Sequence, residues 1–98
     1  MTKPSRAARI RDLVQAALNP TTLRVTDDSA RHAGHAGARP EGETHYTVLV
    51  VSGRFAGLSR VARHRLVTDA LATEFTDGLH ALSLTLRTPE EQASYGPV

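Results

Sequence analysis

Five histidines and no cysteine stand out in a chain of 98 residues. Imidazole can ligate a metal, move a proton near neutral pH or hydrogen-bond inside a core, so the setting of each one decides its reading. His32 and His35 lie in DDSARHAGHAGARPEGE, residues 27–43, where small neighbours impose no packing demand for imidazole. A metal-ligating pair and a pair of solvated loop side chains both fit, because H-x-x-H outside a helix is weak metal spacing. His80 stands just inside an alternating segment, on the face of Leu82, Leu84 and Leu86, either as a ligand or as a core-edge residue with a wet tip. His64 falls in register with Val61, Val67, Leu71 and Phe75, which predicts a core-facing, hydrogen-bonded structural role. His45 opens a strand, where structural and functional roles are equally open.

Other chemistries find little support. Ser52, Ser59 and Ser83 lack a glycine-elbow context, no glycine-rich loop could cradle phosphate, and no acid pair has a recognisable spacing. Without cysteine there is no disulfide, no thiolate nucleophile and no self-contained cysteine-ligated cluster. A binding module rather than an enzyme is expected. Arg60, Arg63 and Arg65, with Arg54 just ahead of them, and Lys3, Arg6, Arg9 and Arg11 offer a competing nucleic-acid reading. The formal charge of only +2 is far from a dense basic stripe.

The elements that must hold these residues follow from periodicity. Ile10, Leu13, Val14, Ala17 and Leu18 predict a helix over 6–18, stopped by Asn19-Pro20. Residues 22–26 alternate as a short strand, 27–43 form a long loop, and THYTVLVVS (44–52) is the strongest strand. Ser59 caps a helix over 60–76 that ends at Asp77-Gly78. LHALSLTLR (79–87) is a third strand, and Thr88-Pro89-Glu90-Glu91 opens a short last helix before a loose tail. The order α-β-β-α-β-(α) predicts one α/β domain over 1–98, with its core about 6–91, whose helices cover one face of a three-stranded sheet. At 40% apolar and 4% aromatic residues, the core should be mostly Leu, Val and Ala. A chain this short favours a surface site or one completed by a partner. The opening MTKPSRAARI lacks an apolar signal region and nothing reaches the length of a membrane span, so a cytoplasmic location and no membrane partner are expected. Sheet edges leave either a monomer or a weak homodimer for the chain alone.

Taken together, THYTVLVVS, the F-x-G-x-S of Phe55, Gly57 and Ser59, RHRLV at 63–67, LHALSL at 79–84 and TPEE at 88–91 resemble the BolA family. The resemblance runs from about residue 6 to 91. It implies an αββαβ fold similar to a class II KH domain. It also implies pairing with a monothiol glutaredoxin of the CGFS type, either without metal or sharing a [2Fe–2S] cluster, in iron–sulfur cluster assembly, transfer or iron sensing. The family's ligand histidine in the HAL motif falls on His80, and its second ligand falls in the loop 27–43, which offers His32 or His35. A cysteine-free chain can supply only a histidine half of such a cluster, so by this resemblance the thiolates come from the glutaredoxin cysteine and bound glutathione. Neutral imidazole is the binding form, so such a site weakens as pH falls through the histidine range. The resemblance also implies an alternative, a DNA-binding transcriptional regulator, with Arg63 and Arg65 of the RHR segment as the contacts.

Overall fold

The computed structural model describes residues 4–28 and 45–96. Helix α1 spans Arg6–Leu18, with the Ser5 hydroxyl accepting the Ala8 N–H, and it buries Ile10, Val14 and Leu18, one residue per turn. It ends where Asn19 takes the left-handed conformation, φ 44°, a role that asparagine tolerates better than most side chains. Strand β1 (Thr22–Asp27) pairs antiparallel with β2 (His45–Val51), and β2 pairs in parallel with β3 (Ala81–Arg87), so β2 is central. Parallel neighbours require a crossover. It is supplied by a 3-10 turn at Gly53–Phe55, helix α2 (Arg60–Ala70) and helix α3 (Ala72–Thr76). Helix α4 (Pro89–Tyr95) follows β3.

Register decides which side chains are covered. Leu23 with Val50, Val25 with Val48, and Val48 and Val50 with Leu84 and Leu86 form the face against the helices. There Tyr46, Val48 and Val50 join Ile10, Val14, Leu18, Phe55, Val67, Leu71 and Leu79 in one core. The other face carries Thr26, Thr47 and Ser83 in one row and His45 with Ala81 in the next. The F-x-G-x-S segment has a separate task for each residue: Phe55 is fully buried, Gly57 takes φ +77°, and Ser59 caps α2 through Ala62 N–H. A Cβ on Gly57 would meet nothing, so its backbone angle, not space, is what calls for glycine.

The element order is the expected one, but the second helix needs two corrections. The continuous helix expected over 60–76 breaks at Leu71 (φ −101°, ψ 12°) into α2 and α3. The expected core stripe holds at Val67 and Leu71, both fully buried, and fails elsewhere. Val61 is 58% exposed, Phe75 is 37% exposed and His64 is exposed, so His64 is not a core histidine. Steps of three residues turn backwards by about 60° each on an α-helix, which carries Val61 far round from Val67. Steps of four hold the face, and the residue one turn before Val67 is Arg63.

Charged residues hold the helices together. Glu74 of α3 is 4% exposed and accepts from Arg6 (2.9 Å) and from Arg9 Nε at both carboxylate oxygens (3.0 Å each). Arg6 also donates to the Glu74 and Asp77 carbonyls, and both arginines reach the Asp77 carboxylate. Two members of the N-terminal basic group therefore form a structural clasp, with Arg6 buried and Arg9 partly buried within it, while Arg11 is exposed and Lys3 lies outside the described residues.

Candidate metal centre

Parallel pairing of β2 and β3 brings the starts of both strands together. His45, the first residue of β2, lies opposite Ala81, so His80 falls beside it at the same end of the sheet. The two imidazole centres are 5.3 Å apart with the rings at 51°. His45 is buried, at 9% exposure, while His80 is exposed. Leu79, just ahead, is 4% exposed and anchors the segment in the core. The Asp28 N–H donates to the His45 carbonyl (2.8 Å), and the Thr47 hydroxyl donates to the Asp28 carboxylate, so the end of β1 is tied to the same corner. A depression of about 360 Å³ opens beside His45, bordered by Asp28, Thr47, Ala81 and Ser83. The small side chains of Ala81 and Ser83 leave that space open.

The donor set can be tested against a metal. A metal–nitrogen bond of about 2 Å and tetrahedral angles place the centres of two imidazoles on one ion about 5 Å apart. The His45–His80 centre-to-centre separation matches that distance, and it is also an ordinary spacing for two packed rings. Among the described residues no group of three or more His, Cys, Asp or Glu could hold a metal, and the chain has no cysteine. Two imidazoles are what this corner offers, and further ligands must come from elsewhere. His32 and His35 lie outside the described residues. Strand pairing, which brought His45 to His80, is a signal that single-residue context does not carry.

The arginines of the RHR segment have different settings. Arg63 is 12% exposed at its side chain and uses every guanidinium nitrogen internally. Its Nε donates to the Leu58 carbonyl (3.1 Å), one terminal nitrogen donates to Leu86 O (3.3 Å) and Glu91 (2.6 Å), and the other donates to Glu91 (3.0 Å). The guanidinium also sits 5.8 Å from the centre of the Phe55 ring. Glu91 in turn closes the capping box of α4, accepting the Thr88 N–H while Thr88 accepts the Glu91 N–H. Hydrogen bonding to Arg63 is the largest cause that pulls the Glu91 carboxyl down to about 2, with the Thr88 N–H adding to it. A phosphate on Arg63 would have to displace these bonds. Arg65 is exposed. No helix among the described residues is long and apolar enough to cross a membrane.

Comparison with known proteins gives one consistent result. Residues 14–91 match the family described as BolA-like protein. The chain is 47% identical over 92 residues to Protein BOLA1, chloroplastic, of Arabidopsis thaliana, covering 92% of this chain and 58% of that one. It is also 47% identical over 91 residues to the plant's SufE-like protein 1, chloroplastic/mitochondrial, covering 89% of this chain and 24% of that one. The chain thus spans less than two thirds of the length of these relatives. Among solved structures, BolA1 from Arabidopsis thaliana superposes with a TM-score of 0.82 at 46% identity, over 92% of this chain and 98% of that one. BolA1 from Mus musculus gives 0.78 at 33% identity, over 100% and 76%.

Proposed function

Because the chain belongs to the BolA-like protein family, we propose that it is a non-enzymatic partner of a monothiol, CGFS-type glutaredoxin. In this reading it shares a [2Fe–2S] cluster during cluster assembly, transfer or iron sensing. The observation that carries the reading is the imidazole pair at 5.3 Å in a chain without a single cysteine. Such a chain can contribute nitrogen ligands to an iron but no thiolate, so in this reading the thiolates come from the glutaredoxin and its glutathione. His80 is the first ligand. The second is His45, its neighbour in space, or one of the loop histidines, His32 and His35. Two imidazoles replacing two thiolates on one iron raise the reduction potential of a [2Fe–2S] centre. The chain's own part is to hold imidazoles at the rim of a rigid sheet, where His45 is fixed by burial and His80 is free to meet a partner. This role belongs to the cytoplasm or another reducing compartment.

The test is a titration of cluster-loaded glutaredoxin, with glutathione present, followed by visible circular dichroism. The wild-type chain changes the spectrum and His80→Ala does not. If His80→Ala reproduces the wild-type spectrum, His80 is not a ligand and the reading fails. Single Ala variants of His45, His32 and His35 assign the second ligand, since only its loss should move the spectrum toward that of His80→Ala.

A further inference from the structure

The outer edge of β3 forms a second surface, away from the imidazole pair. A groove of about 630 Å³ lies between α2, β3 and α4, and on the strand side it touches four consecutive residues, Leu84, Thr85, Leu86 and Arg87. Successive strand side chains point to opposite faces, so a groove that reaches all four follows the edge of the strand rather than either face. Hydrogen bonds fix which backbone groups look into it. Ser52 N–H donates to Arg87 O (2.9 Å), which turns Arg87 toward β2, whereas Arg63 donates to Leu86 O, which turns Leu86 outward. The alternation then points the N–H and C=O of Leu84 and the N–H of Leu86 out of the sheet. Among the described residues the β-ladder supplies no partner there, because β3 is an edge strand. Such an edge is a template for another extended chain.

The charges around the groove select the chain. Arg60, Arg63 and Arg87 line it against one carboxylate, Glu91. Arg87 lies over the Tyr95 ring, 3.7 Å from its centre, and donates to Gln92, while Arg60 is exposed at the rim. We propose that the β3 edge accepts an extended acidic peptide segment of a partner protein as a fourth strand. Its backbone would bond to Leu84 and Leu86, and its carboxylates would face Arg60 and His64. The edge from Leu82 to Leu86 is about 13 Å long at 3.3 Å per residue, enough for a segment of about five residues. A second copy of this chain fits less well, since edge-to-edge pairing would bring two sets of arginines together. A nucleic acid also fits less well. The outward Leu84 carbonyl requires a donor, which a peptide N–H supplies and a phosphate lacks.

The experiment uses the whole ¹⁵N-labelled chain and a capped peptide of sequence DVEVDVE. Its twin carries an N-methyl group on every residue, so that charge is kept and strand pairing is lost on both edges. The proposal expects saturable binding that slows amide exchange at Leu84 and Leu86, loss of that effect with the twin, and about tenfold weaker binding by Arg60→Glu. Equal binding of the twin, protection at other residues, or an oligothymidylate outcompeting the peptide at this edge would each overturn it. So would protection of Leu84 and Leu86 that rises with protein concentration in the absence of peptide.

Discussion

Glu74→Ala removes the acceptor at the centre of the α1–α3 clasp. In the native chain this carboxylate, 6% exposed at its side chain, takes bonds from Arg6 at 2.9 Å and from Arg9 at 3.0 Å. Removing one partner of a buried ion pair costs about 3–5 kcal/mol, chiefly because a desolvated charge is left behind. Here the stranded charge is Arg6, 7% exposed at its side chain. Arg6 keeps the Asp77 carbonyl at 3.2 Å and the half-exposed Asp77 carboxylate at 3.4 Å, which places the loss at the low end, about 3 kcal/mol. A domain of this length is stable by about 5–15 kcal/mol, so the variant gives up a large share. The fall in Tm should be about 12–24 °C, at 4–8 °C per kcal/mol for a small domain. Urea and thermal unfolding followed by far-ultraviolet circular dichroism measure it, and Arg6→Ala with the double variant completes a cycle. The double variant should be less destabilised than the sum of the singles, because it strands no Arg6 charge. A loss for Glu74→Ala below about 1 kcal/mol, the size of a surface pair, or strict additivity, would refute the clasp.

Two further outcomes follow from other contacts. Glu91 has a carboxyl pKa lowered from 4.5 to about 2, so the stability it lends is complete above the ordinary carboxylate pKa and is lost as pH falls through the folded value. The stability advantage of the wild type over Glu91→Gln should therefore hold near neutrality and shrink steadily between pH 4.5 and about 2; an advantage independent of pH over that window would exclude the Arg63–Glu91 ion pair as its source. Ser52 is fully buried, donates to Leu18 O at 2.7 Å and accepts from Arg54 N–H at 3.1 Å. Ser52→Ala leaves a buried carbonyl unpaired and should cost about 1–3 kcal/mol in urea unfolding, against no change if water replaces the hydroxyl.

Local signals in the chain carried most of the architecture. The Ile10–Val14–Leu18 period, the Pro20 stop, the Ser59 cap and the Thr88-Pro89-Glu90-Glu91 start all describe interactions within a few residues, and the structure has α1, α2 and α4 beginning or ending there. On α2 the steps of three from Val61 through His64 to Val67 imitate a core stripe, and only packing shows that Arg63 takes the inward position. Its charge hid that role: the partners are Leu58, Leu86 and Glu91, up to 28 residues away. The same holds for Glu74, whose acceptors serve arginines 65 and 68 positions earlier. His80 was legible as a candidate through its motif, but its nearness to His45 depends on which strands pair and in which direction, and no local pattern encodes that.

The parallel pairing of β2 with β3 has a kinetic consequence. His45 and His80 are separated by the whole crossover, and they meet only when the last strand docks on the first one available to it. Contacts of this sequence separation form late and slowly relative to helical ones, so a chain still missing β3 offers isolated imidazoles and no paired site. An ion that needs both rings binds the finished fold and adds its affinity to that state alone. Metal uptake by this pair would then serve as a reporter of completed folding, and a half-folded chain would be passed over by any partner that must find both imidazoles in place.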